Sequence, residues 1–83
     1  MSERAHPLPI GYITTQDHIE NWFTYHTPHG DQLDRYQRIR DAGKALAHEI
    51  LLCTKPSPDQ TAALRKVREA VMTANAAIAC NEE

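Results

Sequence analysis

The sequence predicts an all-α subunit: a short N-terminal helix plus an antiparallel helical hairpin, homo-oligomeric. Three observations carry this. Apolar residues recur at three- and four-residue spacing over two long stretches, and nothing alternates with period two over a useful length. A turn sequence, TKPSPDQ, separates the two stretches. The chain has 83 residues, enough for one domain. A domain of this size buries only about 60–65% of its unfolded surface, and oligomerisation is a common remedy for so small a core.

Residues 1–13 hold Pro7, Pro9 and Gly11 and read as an irregular N-terminal arm, with 14–83 as the hairpin domain. The first helix starts at TTQD, where Thr14 or Thr15 can accept an orphan N–H of the first turn. Ile19, Trp22 and Phe23 share one of its faces. Thr27 precedes Pro28 and is biased away from the helical region, so the helix is expected to stop near Tyr25. The second helix is expected from about Asp31 to about Cys53. Leu33, Tyr36, Ile39, Gly43, Leu46, Ala47 and Ile50 form its inward stripe. Gly43 lowers helix stability by about 1 kcal/mol relative to alanine, which a close helix crossing would offset. Ser57-Pro58-Asp59-Gln60 reads as N-cap, first helical position and capping box. The third helix then runs to about Cys80, with Leu64, Val67, Val71, Ala74 and Ile78 as its stripe. The short connection makes the two long helices antiparallel neighbours.

Composition narrows the function. At 41% apolar and 24% charged residues the chain is too apolar to be disordered. A net charge of −2 argues against a general nucleic-acid binder. Residues 1–32 carry Arg4 alone against Glu3, Asp17, Glu20 and Asp31, whereas Arg35, Arg38 and Arg40 crowd into one short stretch. Local basic clusters in a mildly acidic protein suit a small anion. Cys53 and Cys80 make no disulfide framework. No secretory leader is expected, because the N-terminus shows no apolar core of about 7–15 residues, and no run approaches the roughly 20 apolar residues needed to span a bilayer. The expected setting is soluble, reducing and cytoplasmic.

Four constellations could carry chemistry. His26 and His29 with Cys53 or Cys80 offer zinc-type ligands, but no anchoring pattern accompanies them. Cys53 lies about 30 Å along the second helix from His29. No metal and no cofactor are therefore expected. Catalytic motifs are lacking: no nucleophile elbow, Walker loop or Rossmann glycines. His48 and Cys53 are spaced i, i+5 and do not aim at each other, so no enzyme is expected. The third is anion recognition. Arg35, Arg38 and Arg40 stand beside the loop, and Arg65 and Arg68 stand on the third helix, with Met72 and Asn75 continuing the line. Guanidinium forks match phosphate oxygens. Tyr25, His26 and Tyr36 offer stacking faces, worth about 1–3 kcal/mol per base in single-strand binders. From spacing alone, a solvated face with pairs such as Arg65–Glu69 is the commoner outcome. The fourth is Trp22–Phe23, of which at least one is expected in the core and the other at a subunit interface.

The stretches FTYHTPHGDQLDRYQRIRDAGKALAHEIL and SPDQTAALRKVREAVMTANAAIA together resemble the helical-hairpin domain of phage cyclic-oligonucleotide sponges. The resemblance covers about residues 22–81. It implies a non-enzymatic trap that binds cyclic di- or trinucleotides, or cyclic ADP-ribose isomers, and so blocks anti-phage (CBASS or Thoeris) signalling in the host cytoplasm. It also implies a hexamer, with dinucleotide pockets between paired subunits and trinucleotide pockets at threefold axes. Arg65 and Arg68 match as phosphate contacts. Tyr25, His26, Arg35, Tyr36 and Arg40 match as stacking and phosphate contacts, and Tyr12 of the arm is a further stacking candidate. Cys80 stands where the resemblance leads one to expect arginine. The alternative is a small helical module that binds a host protein through Trp22 and Phe23. A zinc module would be a third class.

Overall fold

Thr15 opens the first helix. The computed structural model describes residues 14–82, so the arm and its candidate Tyr12 lie outside the described residues. Helix α1 is Gln16–Phe23. The Thr15 hydroxyl accepts the His18 amide at 3.3 Å, and His18 Nδ1 accepts the Thr15 amide at 3.0 Å. Histidine here completes a reciprocal capping box usually closed by Glu or Gln. The helix ends at Phe23, two residues before Tyr25 and so near the expected stop. Thr24 already has extended backbone, and its hydroxyl turns back to donate to Glu20 O at 2.6 Å.

Helix α2 is Gln32–Cys53. Gly30, at φ +57°, makes the left-handed step into it, which glycine adopts without steric cost. Asp31 sits at the N-cap without capping through its side chain, because its carboxylate accepts Arg35 Nε at 3.0 Å instead. At the far end Thr54 Oγ1 donates to Ile50 O at 2.6 Å. Helix α3 is Pro58–Asn81. Ser57 Oγ accepts the Gln60 amide at 3.0 Å. The reciprocal half of the expected capping box is replaced. Gln60 Nε2 reaches across the turn to Thr54 O and Oγ1, at 3.2 and 3.0 Å, and ties the end of α2 to the start of α3.

The two long helices form an antiparallel hairpin. Thr54 meets Gln60, Gly43 meets Val71 and Val67, and Gln32 meets Ile78, so positions fall along α3 as they rise along α2. A Cβ built on Gly43 would fall inside the van der Waals shell of Val71 Cγ2. The expected close crossing is therefore present. The whole α3 stripe, Leu64 to Ile78, lies on the seam and is buried or half-buried. The α2 stripe divides. Tyr36, Ile39, Gly43, Ala47 and Ile50 are half-buried, but Leu33 and Leu46 are 69% and 52% exposed. Each stands next to a residue that takes the seam position, Gln32 and Ala47, and a one-residue step turns a side chain by about 100°. A hairpin has one narrow seam and nothing else to cover them.

The core of the isolated subunit is correspondingly small. Among the described residues, Ile78 is the buried apolar one and Gln32 the buried polar one. Helix α1 packs on α3, and Trp22 lines an open cleft with Met72, Ala76 and Cys80. Trp22 stacks on His18 with ring centroids 6.3 Å apart. The expectation that Trp22 or Phe23 is core is not met: they are 54% and 84% exposed. An eight-residue helix laid on one neighbour leaves its other faces open.

Candidate functional site

On one side of the seam, α2 and α3 enclose an open groove of about 480 Å³. Its floor is Gly43, Ala47, Leu64, Val67 and Val71, and its edge is Arg40, Lys44, Arg68 and Met72. Arg40 and Lys44 are one turn apart on α2 and so share a face. Arg68 faces them from α3. Among the described residues none of these three cations has a hydrogen bond or ion pair. Three like charges around one apolar groove repel one another, and an anion seated between them would relieve that repulsion. Tyr36 lies one turn before Arg40 on α2 and is half-buried, and it is outside the groove lining. Arg65 is exposed and outside the groove lining, one turn before Arg68. The Arg65–Glu69 pair of an ordinary solvated face is not formed among the described residues.

The basic stretch 35–40 does not stay together in space. Arg40 faces this groove, whereas Arg35 and Arg38 line a second one across the seam with Ile39, Ala42 and Ile78. Arg35 is fully engaged. Its two Nη atoms donate to the Glu82 carboxylate at 2.8 and 2.6 Å, and its Nε to Asp31 at 3.0 Å. Buried Gln32 completes this clasp. Its Nε2 donates to Glu82 Oε1 at 3.2 Å and lies 3.5 Å from Ile78 O, while its Oε1 accepts the His29 amide at 3.0 Å. The clasp closes the open end of the hairpin and fixes the loop before α2.

The loop 24–31 is pinned at its other end by His26. Its Nε2 lies 2.8 Å from Asn21 O, and a carbonyl can only accept, so Nε2 carries the proton. Asn21 Nδ2 in turn donates to Cys80 O at 2.7 Å. His26 and Asn21 thus tie loop, α1 and α3 together. Tyr25, between these anchors, is 81% exposed and has no hydrogen bond among the described residues. It is held out from the surface by a fixed backbone.

Hydrogen bonds from Arg35 and then Gln32 hold the Glu82 carboxyl well below its usual range, to about 2 from 4.5, against the opposing effect of burial. Arg35 is raised, first by the bond to Glu82. A depressed carboxylate contributes stability that is complete above its unfolded-state pKa and is lost as pH falls through the folded value. The clasp should therefore be intact above about pH 4.5 and weaken between pH 4.5 and 2. In thermal melts, Glu82→Gln should lower Tm at pH 7, and the gap to the unmodified protein should close as pH falls through that window. A gap unchanged from pH 6 to pH 2 would show that the Glu82 charge contributes nothing.

Several residues of this arrangement escape sequence reading. Lys44 follows Arg40 by four and was detectable from that spacing. Gln32, Asn21 and Glu82 act through long-range bonds that no local pattern announces. Asn75 is half-buried, and its Oδ1 is buried with no partner among the described residues. No group of three His, Cys, Asp or Glu side chains converges for a metal among the described residues. Among them, too, no helix is long and apolar enough to cross a membrane.

Comparison with known proteins adds one firm relationship. The family model described as "Acb2/Tad1, hairpin domain" matches residues 15–79. The match runs from the N-cap of α1 nearly to the end of α3, further toward the N-terminus than the resemblance that begins at Trp22. No curated protein matches the chain, and no solved structure does. The match spans both arms of the hairpin, the unpaired cations and the clasped loop, and on it the chain belongs to the Acb2/Tad1 hairpin-domain family of anti-CBASS/anti-Thoeris sponges.

Proposed function

We propose that the protein sequesters cyclic di- or trinucleotides, or cyclic ADP-ribose-type signals, and withholds them from host effectors without cleaving them. The observation that carries this is the groove edged by Arg40, Lys44 and Arg68, three cations without partners among the described residues on a chain of this family. Charge-assisted hydrogen bonds of ~1.5–3 kcal/mol each, with base stacking of ~1–3 kcal/mol, can reach the roughly −12 kcal/mol of a nanomolar complex. Arg68, Arg40 and Lys44 take phosphate, and Arg65 extends that edge. Tyr25 and Tyr36 stack on bases, and Tyr12 of the arm is a further stacking candidate. His26 and Arg35 act by fixing the loop and the hairpin end. A trap of this kind calls for no catalytic group, metal or cofactor.

Assembly is part of the proposal. Leu33, Leu52 and Met72 are 69%, 79% and 62% exposed, apolar surface of the kind that a subunit interface covers. A homo-oligomer built on pairs, with a hexamer implied by the family, would cover that surface. It would also present each arginine repeatedly to a ligand with several phosphates. The host cytoplasm is where such signals are made and where the protein would act.

Exposure of Trp22 and Phe23 favours one second reading, a module that binds a host protein through α1. Calorimetry with a panel of cyclic di- and trinucleotides, repeated on Trp22→Ala, separates the two. The proposal expects saturable binding to at least one of the panel. Silence across the panel, together with a host protein retained only by unmodified α1, would replace it.

A further inference from the structure

The clasp at the open end of the hairpin is built like a receptor for an anion. Three donors converge on one carboxylate: Arg35 Nη1 and Nη2 in the forked geometry that carboxylate and phosphate share, and Gln32 Nε2. Gln32 is 3% exposed and is held from its other side by the His29 amide, so the receptor is rigid before anything enters it. Its occupant is less fixed. Glu82 follows the last helical residue of α3 and has extended backbone, φ −122° and ψ 136°. Its carboxylate is the part of the clasp that can leave without unwinding a helix.

The receptor also opens into more space than one carboxylate uses. Beside Arg35 runs the groove of about 480 Å³ across the seam, with Ile39, Ala42 and Ile78 as apolar wall and Arg38 as a second cation. Arg38 has no hydrogen bond or ion pair among the described residues. One engaged guanidinium, one unengaged guanidinium and an apolar wall fit an anion of two linked phosphates carrying a flat apolar body.

We propose that this is a second anion site, self-occupied by Glu82, at which a diphosphate-bearing small molecule binds only by displacing the Glu82 carboxylate from Arg35 and Gln32. The Glu82 side chain thereby acts as an internal competitor. Asp31 stays on Arg35 Nε, a donor distinct from the two Nη atoms that Glu82 holds. The site lies across the seam from the Arg40–Lys44–Arg68 groove and is independent of what that groove binds.

Inorganic pyrophosphate, titrated into the full chain by calorimetry, tests this. Glu82→Gln keeps the shape of the side chain and removes its charge, so it should bind pyrophosphate at least tenfold more tightly than the unmodified protein. Adding Arg35→Gln to that variant should abolish the gain. Equal affinity of the unmodified and Glu82→Gln proteins would overturn the proposal, as would a gain that survives loss of Arg35. The unmodified protein supplies a readout that needs no variant. Saturating pyrophosphate should move the Glu82 carboxyl carbon resonance toward that of a solvated glutamate, and an unmoved resonance under saturation would mean that Glu82 is a structural clasp only.

Discussion

Arg68→Ala should weaken cyclic-oligonucleotide binding by about 10- to 150-fold, the loss of one charge-assisted contact worth ~1.5–3 kcal/mol. Arg68 is the cation that faces the α2 pair from the other helix. Without it the groove keeps positive charge on one wall only. Arg65→Ala should cost less, because Arg65 is outside the groove lining and exposed charges are screened. Stability should not change for either variant, since neither arginine has an ion pair among the described residues. Calorimetry and thermal melts on both variants check the pair of statements. If Arg65→Ala is the more damaging of the two, the phosphate contact lies on the outer edge of α3, and the groove is not the site.

Gly43→Leu should be the most destabilising single change in the hairpin. The missing Cβ at Gly43 is what lets Val71 approach, and a built Cβ already enters its van der Waals shell. Overpacking of this kind costs about 1–3 kcal/mol and sometimes more, and leucine adds three further carbons. At about 4–8 °C per kcal/mol for a domain this small, Tm should fall by roughly 4–24 °C. Gly43→Ala gains up to ~1 kcal/mol in helix propensity and should lose it to the same clash. Gly43→Ala with Val71→Ala should recover much of the loss, because Val71 supplies the colliding methyl. A Gly43→Leu protein that melts like the unmodified one would mean that the helices do not cross here.

Helical periodicity and caps made the fold legible, and they failed where a local rule met a tertiary fact. The α3 stripe lies on the seam as read. Leu33 and Leu46 read as inward on α2 because a stripe drawn at three- and four-residue steps is wider than the seam of one helix pair. Gln60 read as half of a capping box, but its Nε2 donates across the turn to Thr54 O and Oγ1 instead. The site was legible in kind and less so in membership. Arg40 and Arg68 were marked by charge and spacing. The neighbouring Arg35 looked equivalent, and only the folded chain brings Glu82 to it. His26 drew notice as a possible ligand contact; the structure gives it Asn21 O and a place in the framework. Lys44 repeats Arg40 one turn on and stands with it at the groove edge, a spacing the sequence does carry.

On the proposed function the ligand is held and not consumed. Incubating the protein with a stoichiometric amount of a cyclic oligonucleotide that binds, removing free ligand by filtration, and heat-denaturing the complex tests it most directly. Chromatography of the released material should return the same cyclic compound in near-stoichiometric yield, with no linear product. Linearised or fragmented nucleotide in that fraction, increasing with incubation time, would make the protein an enzyme and overturn the sponge reading.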